Sequence, residues 1–250
     1  MTSNDLSDRP TIVVGASRGL GRGIATALAD SGLPVIAVAR SESALTELAD
    51  SATTVTAVVA DATDPTLPGR LIDRHRPRNL VLVAGASPLV RPLQHQTWET
   101  FSANWETDVR MSFHWLREAL LTPLMPGSRV LVMSSGAALQ GSPLSGGYAG
   151  AKATQRFIAA YAQDEADRAD LGITFTSILP RITPMTELGR PAVEAYAARA
   201  GITQAKYMEQ MGPPVTPEVA GGAVMELLRA DADKVATAYL LTGAGLKDLP

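Results

Sequence analysis

The chain has 250 residues, 22 lysines and arginines against 25 aspartates and glutamates, and no cysteine. A net charge of −3 with no basic block argues against a nucleic-acid surface, and the lack of thiols excludes a disulfide framework and a thiolate metal site. The length admits a large core. His75, His95 and His114 stand far apart without ligand spacing, so no metal is expected. Residues 1–10 are polar, lack the basic and apolar regions of a signal peptide and read as a flexible tail. No apolar run reaches the ~18 residues a membrane span needs, and the expectation is a cytoplasmic protein.

Thr11–Gly15 is a short apolar run, as strands are when helices cover both faces of their sheet. It leads into Gly15-Ala16-Ser17-Arg18-Gly19-Leu20-Gly21 and a helix-like stretch, Leu20–Ser31. Glycines there permit a tight turn and let backbone N–H groups approach a pyrophosphate, and the helix N-terminus adds roughly half a positive charge. The second run, Pro34–Ala39, is followed by Arg40, where a site for NAD usually presents a carboxylate to the ribose hydroxyls. Ala39 cannot do so, and Arg40 with Arg18 instead suits the extra phosphate of NADP(H). Helix-like Ser41–Asp50 precedes the third run, Val55–Ala60, after which Asp61 is placed to accept from the adenine amino group.

Pro65–Arg76 is helix-like and Leu80–Ala84 is the fourth run. Thr97–Leu121 then reads as one long helix, with Trp98, Phe101, Trp105 and Trp115 at roughly helical spacing and assigned to core or subunit-interface packing. The fifth run, Arg129–Met133, is followed by Ser134, read as structural, and by Ser135. Helix-like Gly147–Asp170 carries Tyr148 and Lys152, four apart and therefore on one face. A phenol has a reference pKa of about 10, and an ammonium held near it favours the phenolate and brings that value toward the working range. Ser135 is placed to orient the oxygen that gains or loses the proton, which makes the three a proton relay.

Ile173–Leu179 and Ala238–Leu241 are the sixth and seventh runs, and Thr216–Arg229 opens with a cap, a first-turn proline and an early acid. The proline-rich stretch 183–217 falls beyond the carboxyl ends of the strands, where ligands bind in such sheets, and reads as a substrate lid. Met185, Tyr196, Tyr207, Met208 and Met211 give it an adaptable apolar lining that suits a bulky apolar carbonyl or alcohol, while Arg181 and Lys206 leave an anionic group open. The alternation implies an α/β fold, a Rossmann-type doubly wound parallel sheet of about seven strands with helices on both faces. No repeat or linker marks a second domain, so 1–250 reads as one NAD(P)-binding domain.

On these residues the chain resembles the short-chain dehydrogenase/reductase family along nearly its whole length. The family's Thr-Gly-x-x-x-Gly-x-Gly loop is matched by Val14 to Gly21, with valine for threonine, and its catalytic serine, tyrosine and lysine fall on Ser135, Tyr148 and Lys152. The resemblance implies that Tyr148 exchanges a proton with the substrate oxygen while NADPH exchanges hydride with the carbon. It also implies that Lys152 binds the nicotinamide ribose, that Ser135 holds the substrate oxygen, and that the helices around the fifth strand pair in a homodimer or homotetramer.

Three departures stand out. The family's Asn-Asn-Ala-Gly is Leu82-Val83-Ala84-Gly85, of which Ala84 and Gly85 are kept; its Pro-Gly is Pro180-Arg181, followed by Ile182 and Thr183, which are placed to touch the nicotinamide carboxamide. The asparagine that completes a catalytic tetrad aligns with Asp108, in a register supported by Phe113. A carboxylate near Lys152 favours its charged form and partly cancels its pull on Tyr148, so a working relay with a shifted pH optimum is expected. The leading expectation is an NADP(H)-dependent oxidoreductase interconverting a carbonyl and an alcohol. The alternatives are an NADP-binding regulatory protein without turnover and a dehydratase or isomerase on the same fold.

Overall fold

In the computed structural model, which describes residues 9–249, the valine- and leucine-rich runs become the buried centre of one sheet. Of the expected tail over residues 1–10, only Arg9 and Pro10 fall within the described residues. Strands β1 (Thr11–Val14), β2 (Val35–Ala39), β4 (Asn79–Leu82) and β5 (Arg129–Met133) are buried at every position. With β3 (Val55–Val59), β6 (Thr174–Pro180), β7 (Ala238–Thr242) and β8 (Gly245–Leu249) they form an eight-stranded sheet, ordered β3-β2-β1-β4-β5-β6-β7-β8. Neighbours are parallel except β7 and β8, which pair antiparallel from Ala238 opposite Leu249 to Thr242 opposite Gly245. This eighth strand is one more than expected. Its sequence, Gly-Leu-Lys-Asp-Leu, lacks the continuous apolar character of the central strands because it lies at the sheet edge.

Successive residues of each strand point to opposite faces. Val13, Ala37, Val81 and Leu131 face helices α1 (Gly19–Asp30), α2 (Glu42–Ser51) and α10 (Pro217–Arg229). Ile12, Val14, Leu80 and Val130 face α3 (Leu67–His75), α5 (Arg110–Leu121) and α7 (Tyr148–Arg168), with Trp115 and Phe175 filling that layer. Thr216 caps α10 as its sequence indicates, its side chain accepting from the Val219 N–H.

The stretch from Thr97 to Leu121 is not one uniform helix. It divides into α4 (Trp98–Asn104), a five-residue π turn over Trp105–Val109, and α5. The irregular turn carries Asp108. A short helix, α6 (Ala137–Gln140), follows Ser135, and the stretch 183–217 holds α8 (Gly189–Ala200) and α9 (Gln204–Met211). Because β1 leads to β2 on one side and β4 to β5 on the other, the connections from these two adjacent strands run in opposite directions, opening a crevice at their carboxyl ends. Among the described residues, no helix is long and apolar enough to cross a membrane.

Candidate active site

The turn after β1 fixes one wall of that crevice. Gly15 has φ +97°, and a Cβ there would lie 2.5 Å from the Ala84 nitrogen, so a side chain would both strain the turn and strike the backbone after β4. Backbone rather than side chain therefore lines this part of the crevice, as close approach of a pyrophosphate requires. Together with the N-terminus of α1, this bare cradle fits a dinucleotide.

A cleft of about 1320 Å³ opens from the turn. Gly15, Ser17, Arg18, Gly19, Leu20, Gly21, Arg40, Asp61, Ala84 and Gly85 line it, as do Asp108, Ser135, Tyr148, Lys152, Pro180, Ile182 and Thr183. Every residue singled out from the sequence as catalytic or cofactor-binding thus borders the same space. Arg40 is exposed after β2, and Asp61 accepts from both the N–H and the hydroxyl of Thr63. Those two bonds, against a small opposing effect of burial and with help from Arg40 and Arg110, hold the Asp61 carboxyl below its ordinary range. Arg18 is paired with Glu187, which lies just before α8, and both side chains are mostly exposed.

Deeper in the cleft, α7 begins at Tyr148, so Lys152 follows one turn later on the same face. The Lys152 Nζ lies 5.6 Å from the centre of the Tyr148 ring. Strand β5 and helix α7 are joined in both directions at this lysine. Its Nζ donates to the Met133 carbonyl at 3.1 Å, and the Ser134 hydroxyl donates to the Lys152 carbonyl at 2.7 Å. Ser134 is thus a structural tie, while the Ser135 oxygen accepts from the Ala137 N–H at the start of α6 and borders the cleft.

Asp108 reaches the lysine directly, with Oδ2 3.1 Å from Nζ. Its Oδ1 accepts from the Ala86 N–H at 2.7 Å, and Asn104 Nδ2 donates to the Ala86 carbonyl beside it. Gly85 makes this approach possible, since a Cβ there would come within 2.9 Å of the carboxylate. Burial draws the Lys152 pKa down, but the Asp108 charge, then Tyr148, then the hydrogen bond to Asp108 outweigh it and leave the value above that of an ordinary lysine. The ammonium is therefore fully charged across the neutral range.

Gln155, which sequence reasoning passed over, completes the cluster. Its Oε1 accepts from Lys152 Nζ at 2.8 Å, and its Nε2 donates to the Asp108 main-chain carbonyl and to the Ser112 hydroxyl. The signal available was its position three residues after Lys152, on the same helical face. Across the cleft, the Tyr196 hydroxyl shares a hydrogen bond with Ser142 at 2.7 Å and accepts from the Leu144 N–H, tying α8 to the loop that precedes α7. Tyr196 and Tyr207 stack with ring centres 6.5 Å apart, and burial and Tyr196 push the Tyr207 phenol above its usual value.

Of the aromatic residues before β5, Trp115 is fully buried and donates to the Ala62 carbonyl, whereas Trp98 is exposed and stacks on Phe101.

Sequence and structure comparisons show which known proteins the chain is similar to. The family model described as short chain dehydrogenase matches residues 9–197. A hydroxynaphthalene reductase-like protein of Metarhizium majus is 28% identical over 190 residues, covering 72% of this chain and 70% of that protein. The L-xylulose reductase of Homo sapiens is 30% identical over 105 residues, covering 42% and 43% of the two chains. The crystal structure of a short chain dehydrogenase from Mycobacterium avium superposes with a TM-score of 0.74 at 23% identity, covering 97% of this chain and 85% of the other.

Proposed function

The chain belongs to the short-chain dehydrogenase family, an oxidoreductase fold that works with a nicotinamide dinucleotide, and from that premise we propose that it is an NADP(H)-dependent carbonyl reductase. The observation that carries the reading is the meeting of Tyr148, a buried charged Lys152 and Ser135 in one cleft with the bare glycine turn. The chemistry a bound reduced nicotinamide supplies is a hydride to the carbonyl carbon. Tyr148 gives its proton to the carbonyl oxygen, so that C=O becomes CH–OH. The Ser135 hydroxyl orients that oxygen by hydrogen bonding. Lys152 holds positive charge beside the phenol and so stabilises the negative charge left on Tyr148 when the proton departs.

Preference for the phosphorylated cofactor is supported by Ala39 at the end of β2, which offers no carboxylate, and by Arg18 and Arg40 at the rim of the cleft. A bulky, mostly apolar substrate is supported by Met185, Tyr196, Tyr207 and Met211 along the wall made by the expected lid. The Metarhizium majus and Homo sapiens relatives carry reductase names, which favours the same direction of turnover. Exposed Phe113 on α5 and the stacked, exposed Phe157 and Tyr161 on α7 support pairing of these helices in a homodimer or homotetramer. The test is a panel of ketones with NADPH, followed at the nicotinamide absorbance, in the native chain and in Tyr148→Phe. Reduction by the native chain with loss in the variant supports the reading, and equal rates in both refute it.

A further inference from the structure

Besides Lys152, the cleft is bordered by Arg18, Arg40, Arg181 and Arg190, and Lys206 does not reach it. Arg18 is paired with Glu187, and Arg40 follows β2 at the end assigned to the phosphorylated ribose. Arg181 and Arg190 are exposed, and among the described residues their guanidinium groups meet no carboxylate and no hydrogen-bond acceptor. The acids on the cleft wall leave Arg181 unopposed. Asp108 faces Lys152, Glu187 faces Arg18, Asp61 accepts from Thr63, and Glu106 makes no ion pair.

Arg181 and Arg190 differ in what holds them. Arg190 lies in the first turn of α8, on the stretch that carries Glu187. Arg181 directly follows β6, and its backbone is tied to the loop of Ser135. Its N–H donates to the Leu241 carbonyl at 2.9 Å, and the Pro180 carbonyl before it accepts from the Gly136 N–H at 2.8 Å. A Cβ on Gly136, the residue after Ser135, would lie 3.8 Å from the Arg181 Cα. The cation thus stands beside the reacting end of the cleft, at a position where the family resembled has an uncharged glycine. The wall made by Met185, Tyr196, Tyr207 and Met211 is mostly apolar. One unopposed cation on such a wall suits a molecule that is apolar along its body and anionic at one end. The planar fork of a guanidinium matches the two oxygens of a carboxylate.

We propose that Arg181 is a specificity residue that binds a carboxylate of the substrate, so that the preferred carbonyl compounds are oxo acids with an apolar body. The substrate class rests on the carbonyl-reductase reading; the binding of a carboxylate beside Ser135 does not.

The probes are benzoylpropionate, benzoylbutyrate and benzoylpentanoate, aryl ketones that differ in the spacer to the carboxylate, each beside its methyl ester. With NADPH, the native chain is expected to show a kcat/KM for the best of the acids at least about 10-fold above that of its ester. Arg181→Ala lowers kcat/KM for that acid by about 10-fold or more and leaves the ester and the KM for NADPH within about 2-fold. Arg181→Lys, which keeps the charge without the fork, falls between the two. Arg190→Ala leaves the preference for the acid in place. Titration calorimetry of the same acids into the chain saturated with NADP⁺ reads binding without turnover, and Arg181→Ala is expected to weaken it by about 10-fold.

An acid and ester used equally well by the native chain overturn the proposal, as do equal losses on acid and ester in Arg181→Ala. A preference abolished by Arg190→Ala and kept in Arg181→Ala overturns it too, as does a rise in the KM for NADPH matching the loss on the acid. Acids that bind through Arg181 to a chain that reduces none of the ketones refute the reductase reading and still support the carboxylate site.

Discussion

Lys152 and Asp108 form a buried ion pair, Nζ to Oδ2 at 3.1 Å, with 6% and 0% of their side chains exposed. Such a pair need not stabilise a fold relative to apolar residues of the same shape, but removing one partner strands a charge in the interior, at a cost of about 3–5 kcal/mol. Asp108→Leu is expected to lose stability of that order, read from urea unfolding at pH 7. A loss under about 1 kcal/mol would mean that water reaches the ammonium.

Asp108→Asn preserves shape but removes the charge. With its oxygen toward Lys152, the new amide turns N–H groups toward the Ala86 N–H, a donor against a donor. The expected cost is about 1–3 kcal/mol, and the pH–rate profile is expected to move toward lower pH, because an anion near the site has gone. Coincident profiles for the two proteins would remove Asp108 from the electrostatics of the site. The stability difference has its own pH window. The Lys152 pKa is raised in the folded chain, so its contribution is fully present below the unfolded lysine value, about 10.4, and is lost as pH rises through the folded value. The native chain's advantage over Asp108→Asn therefore holds through neutrality and shrinks in strong alkali.

Tyr148→Phe removes the proton donor and little else, since the ring stays against Lys152. A fall in kcat of about 10²–10⁴-fold is expected, with NADPH binding, followed by nicotinamide fluorescence, changed less than about 3-fold. Loss of binding to the same degree as turnover would assign the phenol to the cofactor and not to the proton.

Arg40→Ala is expected to lower kcat/KM with NADPH by about 10–100-fold while leaving NADH almost unchanged, the worth of one or two charge-assisted hydrogen bonds to a phosphate. Arg18 reaches the same rim but is paired with Glu187, so Glu187→Gln is expected to tighten NADPH binding slightly, about 2-fold, by removing a competitor for the guanidinium. Both side chains are mostly exposed, and no measurable change in fold stability is expected from breaking the pair.

Tyr196→Phe cuts α8 from Ser142 and Leu144 without disturbing the stack on Tyr207. The expected outcome is about 1 kcal/mol of lost stability and a several-fold rise in substrate KM with kcat nearly kept. An unchanged KM would show that this tie does not shape the substrate side of the cleft.

The centre of the sheet was legible because β1, β2, β4 and β5 are buried on both faces, and continuous valine and leucine can serve little else. The glycine turn and the Tyr148–Lys152 spacing were legible for the same reason: each is a local pattern fixed by helix or turn geometry. What escaped is what depends on distant neighbours. β8 gains its place by pairing with β7, and the break at Trp105–Val109 interrupts a stretch whose residues read as ordinary helix. Gln155 has meaning only once Asp108 and Ser112 arrive from other elements.

The wide turn at Trp105–Val109 sets a limit on how this protein can be made sturdier. A π turn carries one residue more than the regular helix around it, and closing it by deletion would rotate the flanking segments against each other by about 100°. Asp108 would swing off the lysine, and its carbonyl would move off Gln155. Engineering that smooths this kink for thermal tolerance should yield a tougher molecule with a weakened centre, so rigidifying changes belong on the far side of the sheet, along α1 and α10.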